Sequence, residues 1–192
     1  MNPMKNEAIT DLMAFLKNGT SPYHVVKYGS RELEQAGFLE LELKDAWQLH
    51  QGGAYFVKVY GSTLIAFRLG KEDGPLRLAA AHTDFPCLRV KPSAELHMRG
   101  YGKVNVEIYG GMIRESWLDR PLSLAGKVVL RTEDPYAPET RLVDLQRPVM
   151  TIPRLAIHMN RAVNKGVELN PQKDMLPLMT MLGDNLEEKY LL

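Results

Sequence analysis

The chain has 192 residues, enough for one ordinary domain or one and a half small ones, and a hydrophobic share of 45% argues for a packed core over disorder. Its 24 basic and 23 acidic side chains are interspersed and leave a formal charge of +1, so nothing electrostatic calls for a nucleic-acid partner. No apolar run approaches the roughly 20 residues that cross a bilayer, the stretch from Met1 to Asn6 lacks the apolar core of a signal peptide, and a single cysteine, Cys87, excludes an internal disulfide and fits a reducing, cytoplasmic setting.

In chain order, Ile9, Leu12, Met13 and Leu16 repeat at helical spacing and predict an amphipathic helix from about Asn6 to Asn18, stopped by Gly19. Ser21-Pro22 reads as a cap followed by proline at the first helical position, opening a second helix that runs to about Ala36 and ends at Gly37. Ala54 to Tyr60 and Thr63 to Leu69 are β-rich and separated only by Gly61-Ser62, which predicts a hairpin. Glu72-Asp73-Gly74-Pro75 reads as a turn, and Leu76 to His82 as a buried strand of small apolar residues.

Beyond Pro92 the texture shifts to short strands and irregular connections. Val104 to Tyr109, Leu124 to Leu130 and Leu155 to Met159 are the strand candidates, and Pro148, Pro153, Pro171 and Pro177 exclude a long helix. Leu182 to Leu192 resembles the start of an amphipathic helix with no stop signal, and it reads as a chain shorter than its natural length.

The chemistry concentrates in Leu78-Ala-Ala-Ala-His-Thr-Asp84. Alternation along a strand puts His82 and Asp84 on one face. The imidazole could then bind a divalent ion while the carboxylate orients the ring or a water. The same triplet also describes a surface histidine followed by a turn aspartate.

Four ordered blocks resemble the M18 family of metallo-aminopeptidases, the aspartyl aminopeptidase type. They are Ser21-Pro-Tyr-His24 with Ala36-Gly-Phe38; Ala81-His-Thr-Asp-Phe-Pro-Cys-Leu-Arg-Val-Lys-Pro92; Tyr109-Gly-Gly111 with Trp117-Leu-Asp-Arg-Pro-Leu-Ser-Leu-Ala-Gly126; and Ile152-Pro-Arg-Leu-Ala-Ile-His-Met-Asn-Arg161 with Val163-Asn164 and Asn170. The last block disfavours the related two-metal M42 group. The resemblance implies an α/β fold: the N-terminal part of a two-lobed zinc aminopeptidase, with a central mixed sheet and flanking helices over residues 1–92, and part of a β-rich inserted dimerisation domain over 93–192. It further implies hydrolytic release of an N-terminal residue, often Asp or Glu, from a peptide substrate at two divalent ions, usually zinc, in subunits that pair as dimers and build dodecamers. On this resemblance His82 is a metal ligand, Asp84 supports it, and His158 reaches from the dimerisation lobe toward the partner subunit's substrate.

The other candidates read as structure. His24 lies at a helix start, and His50 and His97 read as surface residues. Cys87 reads as a small buried hydrophobe, Gly110-Gly111 as a tight turn, and Arg89 and Lys91 as the solvent face of an edge strand. Asp119 and Arg120 are expected to pair with each other. Phe85 departs from the family's small polar residue after the aspartate, which puts substrate preference in doubt. A two-metal peptidase needs about five ligands and a general-base glutamate. By resemblance most of these lie beyond Leu192, and Glu187-Glu188 reads as a solvated pair. Two functional classes follow: an aminopeptidase of which this chain alone is inactive, or a non-catalytic assembly module of the same family. The intact His-Thr-Asp triplet favours the first.

Overall fold

Ser21 shows how closely local sequence dictates the beginning of this molecule. In the computed structural model, which describes residues 3–70, 74–166 and 168–181, helix α1 (Pro3–Asn18) ends at Gly19 and helix α2 (Pro22–Gln35) begins after Ser21. The Ser21 Oγ accepts from the His24 backbone N–H at 3.4 Å, satisfying one of the orphan donors of the first turn. Gly37, at φ +82°, follows the cap residue Ala36 and ends the helix as expected. Val26 and Ser30 are the buried face of α2. The predicted stripe of α1 is present as a helix face, but Ile9, Leu12, Met13 and Leu16 are exposed.

The chain divides into two compact units, residues 1–84 with 125–144 and residues 85–124 with 145–192. The first change therefore falls between Asp84 and Phe85, eight residues before Pro92, and the strand expected at Leu124 to Leu130 belongs, from Ala125 on, with the first unit. In the first unit, β1 (Leu39–Glu40) pairs in parallel with β2 (Ala54–Val59), which pairs antiparallel with β3 (Thr63–Arg68). The predicted hairpin turns through Tyr60 and Gly61, at φ +53° and +71°, the left-handed pair that suits the twist of the flanking strands. Tyr55, Phe56 and Val57 are buried with Val26, and complete burial of a side chain like Phe56 contributes about 1.5–3 kcal/mol. The remaining hairpin of this unit, β6 (Ala125–Leu130) with β7 (Glu139–Asp144), runs from Ala125 opposite Asp144 to Leu130 opposite Glu139. Thr20 Oγ donates to the Asp144 carboxylate at 2.9 Å, and the Lys127 ammonium lies 4.5 Å from the Tyr23 ring centroid, so this hairpin is tied to the start of α2.

The second unit is built on β4 (Cys87–Met98), β5 (Tyr101–Tyr109) and β8 (Leu178–Met181), antiparallel in that order. Pro92 does not end the strand. It sits where the register shifts between Val90 and Glu95, on an edge strand, where a proline removes no ladder bond that the sheet needs. Val104, Val106, Met150 and Leu176 form the core, with Leu88, Leu96, Leu122 and Leu124 packed around it. Gly110 turns the chain at φ +74° after β5. The Arg89 guanidinium lies 5.2 Å from the Tyr109 ring centroid, and Lys91 Nζ donates to Gln172 Oε1 at 3.3 Å, on the edge strand that was expected for both.

Two expected strands are not strands. Leu76 to His82 lies outside any sheet and any helix, with Leu76 90% and Leu78 85% exposed. A strand is defined by its neighbour, and among the described residues no segment pairs with this one. Leu155 to Met159 is exposed and folds into a turn, with the Met159 N–H donating to the Ala156 carbonyl at 2.8 Å. Pro153 and the absence of a ladder partner leave that local bond as its organising contact. The expected turn at Glu72-Asp73 and the ending from Leu182 to Leu192, Glu187-Glu188 included, lie outside the described residues.

Candidate functional site

His82 and Asp84 are brought together, although not by a strand. The His82 Nδ1 lies 2.5 Å from the Asp84 backbone carbonyl and 3.4 Å from Asp84 Oδ1. Both neighbours are acceptors, so Nδ1 carries the proton and the lone pair is at Nε2, the tautomer in which an imidazole ligates a cation. The nearer support is the carbonyl rather than the carboxylate that the sequence suggested. Between the two, Thr83 Oγ donates to the Ser62 carbonyl at 2.7 Å and pins the triplet to the turn of the β2–β3 hairpin. The His82 side chain is 80% exposed and that of Asp84 39%.

A metal centre needs several donors converging on one point. Among the described residues, no group of three or more His, Cys, Asp or Glu side chains converges in that way. The donor chemistry of His82 and Asp84 fits one edge of such a centre: a neutral imidazole with its free nitrogen outward, and an acidic residue holding its other nitrogen. It does not amount to a complete coordination sphere.

His158 lies in the second unit, in the turn at residues 157–159, and is exposed. The expected pair of Asp119 with Arg120 is replaced by Asp119 with Arg154. The Arg154 N–H donates to Asp119 Oδ1 at 2.9 Å, and its Nε lies 3.3 Å from Oδ2. Neither residue carries a sequence signal for the other, since they are 35 positions apart. His24 is half-buried, with its Nδ1 2.8 Å from Ser21 Oγ. Burial lowers its pKa below the ordinary 6.5, the Asp144 carboxylate raises it in part, and Lys27 lowers it further. Cys87 is half-buried, while His50 and His97 are exposed as expected.

A family model described as aminopeptidase I zinc metalloprotease (M18) matches residues 15–190. The chain belongs to the M18 peptidase family. It is 42% identical over 196 aligned positions to a protein of Clostridium acetobutylicum named "Probable M18 family aminopeptidase 2", a match covering 98% of this chain and 45% of that protein. A protein of the same name from Pseudomonas paraeruginosa is 43% identical over 183 positions, covering 94% of this chain and 42% of the relative. The chain thus spans less than half the length of these curated relatives. Among solved structures, Ape4 in its cryo-EM complex with Nbr1 matches with a TM-score of 0.86 and 35% identity over 94% of this chain and 35% of that one. The mApe1 of Chaetomium thermophilum matches at 0.80 and 29% over 94% of this chain and 42% of that one. The fold is accordingly the mixed α/β fold of M18 aminopeptidases, present in part.

Proposed function

We propose that this chain is the His82-bearing part of a cytoplasmic zinc aminopeptidase that releases N-terminal acidic residues from peptides, and that the 192 residues alone are inactive. The observation carrying this reading is the His82–Asp84 contact within a family-matched segment: it holds the ring in the ligating tautomer while no other described donor converges on it. In this reading the unit that bears His82, residues 1–84 with 125–144, contributes to the proteolytic domain, and the unit that bears His158 contributes to the dimerisation domain.

When bound, a pair of divalent ions supplies polarisation of the scissile carbonyl and a water acidic enough to attack at neutral pH. The chain's own part is to orient. His82 Nε2 offers the lone pair, Asp84 keeps the Nδ1 proton in place, and Thr83 ties both to the hairpin. His158, exposed on its turn, is suited to donate a hydrogen bond to charge developing on a substrate held by a second subunit. Pairing of subunits draws support from a solved neighbour, the Ape1 dodecamer of S. cerevisiae, matched at a TM-score of 0.68 and 26% identity over 91% of this chain and 38% of that one.

The test joins this chain to the portion of the Clostridium acetobutylicum relative outside the match. The chimera is expected to release N-terminal Asp from a peptide in a zinc-dependent manner, and His82→Ala to abolish this. The 192-residue chain with zinc is expected to release none. Zinc-dependent release of Asp by the short chain, or full activity of the His82→Ala chimera, overturns the proposal.

A further inference from the structure

The segment carrying His158 has little of its own to aim it. It leaves the core of the second unit at Ile152, which is buried, and every residue from Pro153 to Met159 is exposed. Its internal bonds are those of a turn, from the Met159 N–H to the Ala156 carbonyl at 2.8 Å and from the Asn160 N–H to the same oxygen at 3.2 Å. Leu155, Ile157 and Met159 are more than half exposed and belong to no described core cluster. A turn of this kind opens locally with ease unless its root is held.

The root is held, and Asp119 makes bonds on both sides of Pro153. The Asp119 N–H donates to the Ile152 carbonyl at 2.9 Å. Its Oδ1 accepts from the Arg154 N–H at 2.9 Å, and its Oδ2 lies 3.3 Å from Arg154 Nε. Arg154 Nη2 then donates to the Glu115 carbonyl at 3.1 Å. Asp119 has φ +58°, a left-handed conformation that aspartate tolerates better than most residues. With the chain turned in this way, one residue serves both Ile152 and Arg154, on either side of Pro153, through its amide and its carboxylate.

We infer that Asp119 is a positioning residue for His158, its carboxylate and amide clasping residues 152–154 so that the turn at 157–159 projects in one direction. The inference rests on the role given above to His158 and deepens it: the imidazole is useful to a second subunit only if its direction is set before docking, and Arg154 completes the clasp from the other side.

Three substitutions in the 192-residue chain test this. Asp119→Gly keeps the left-handed backbone easy and removes the carboxylate; Asp119→Asn keeps an acceptor for the Arg154 N–H; Arg154→Ala removes the guanidinium contacts and spares the backbone bond. Amide hydrogen exchange is read at Met159 and Asn160, and the His158 ring signals are followed by NMR, assigned through their loss in His158→Gln. The glycine variant is expected to speed exchange at both amides about tenfold, the loss expected of one hydrogen bond to a charged group. It should also move the His158 ring signals while leaving those of the other four histidines unchanged. The asparagine and Arg154→Ala variants should each show about a threefold effect, since each keeps part of the clasp. Unchanged exchange in Asp119→Gly overturns the inference, as does an asparagine variant no better than glycine. Should the glycine variant not fold, unchanged exchange in Arg154→Ala overturns it equally. No peptide enters this experiment, so its failure condemns the clasp alone, whereas undiminished activity of a His158→Gln chimera condemns the role of the imidazole.

Discussion

The two histidines that carry the functional reading are held in opposite ways. His82 is steadied by its own neighbourhood: the Asp84 carbonyl and carboxylate two residues on, and the Thr83 hydroxyl on the Ser62 carbonyl. His158 is steadied from a distance, by an aspartate and an arginine 35 residues apart that meet at the foot of its turn. A contact between i and i+2 needs only a short stretch of backbone, here a ring folded back onto the carbonyl two residues on. A contact across 35 residues is set by the tertiary fold, in which the Leu122–Met150 bridge lays the two stretches side by side.

The largest test asks whether the two histidines depend on separate cores. Phe56→Ala removes a fully buried ring from the first unit and is expected to cost about 3–5 kcal/mol there. In urea, amides of β2 and β3 should lose protection while those of β5 keep it; simultaneous loss of both would show one cooperative unit and end the comparison.

Asp84→Asn, in the chimera proposed above, removes the charge beside His82 but leaves the nearer backbone carbonyl. Changes in such supporting groups commonly weaken metal binding about 10–100-fold. The expected effect is at the lower end, read as zinc affinity by calorimetry. A loss near the upper end would show that the carboxylate, not the carbonyl, holds the ring.

Thr83→Val cuts the tether to the hairpin turn and should lower stability of the first unit by about 0.5–1.5 kcal/mol. No change in the urea midpoint would mean that the triplet is held by the His82–Asp84 contact alone.

The smallest effect is pH dependence through His24. Burial holds its folded pKa below the ordinary 6.5, with Asp144 opposing and Lys27 reinforcing that shift. As pH falls below about 6.5, the unfolded chain takes up a proton that the folded chain resists, so stability drops with falling pH and is flat above that value. Urea midpoints measured from about pH 7.5 to about pH 5.5 should show this decline, and His24→Gln should flatten it. An unchanged slope in that variant assigns the dependence elsewhere.

Several elements were legible because their determinants are local. Ser21, Pro22 and Gly37 bracket α2 through cap geometry and a left-handed stop, and Gly61 with alternating flanks marks the β2–β3 hairpin. The four sequence blocks identified the family without any contact being known. Other features were not legible. Ala79, Ala80 and Ala81 have the texture of a buried strand, yet the segment is exposed. Pro92 suggested a boundary, but the edge strand passes through it at a bulge. Asp119 stands beside Arg120 in sequence and clasps Arg154 in space.

Letter order alone was enough to set the helix caps and the hairpin, because each arises within a few residues of backbone whose geometry is fixed by sterics, and four ordered blocks were enough to point to the family. Only the folded chain decided where the first unit stops, which hairpin returns to it, and that Asp119 roots the His158 turn. Those outcomes depend on which distant surfaces bury each other, and a linear pattern records a residue's appetite for burial without naming its partner.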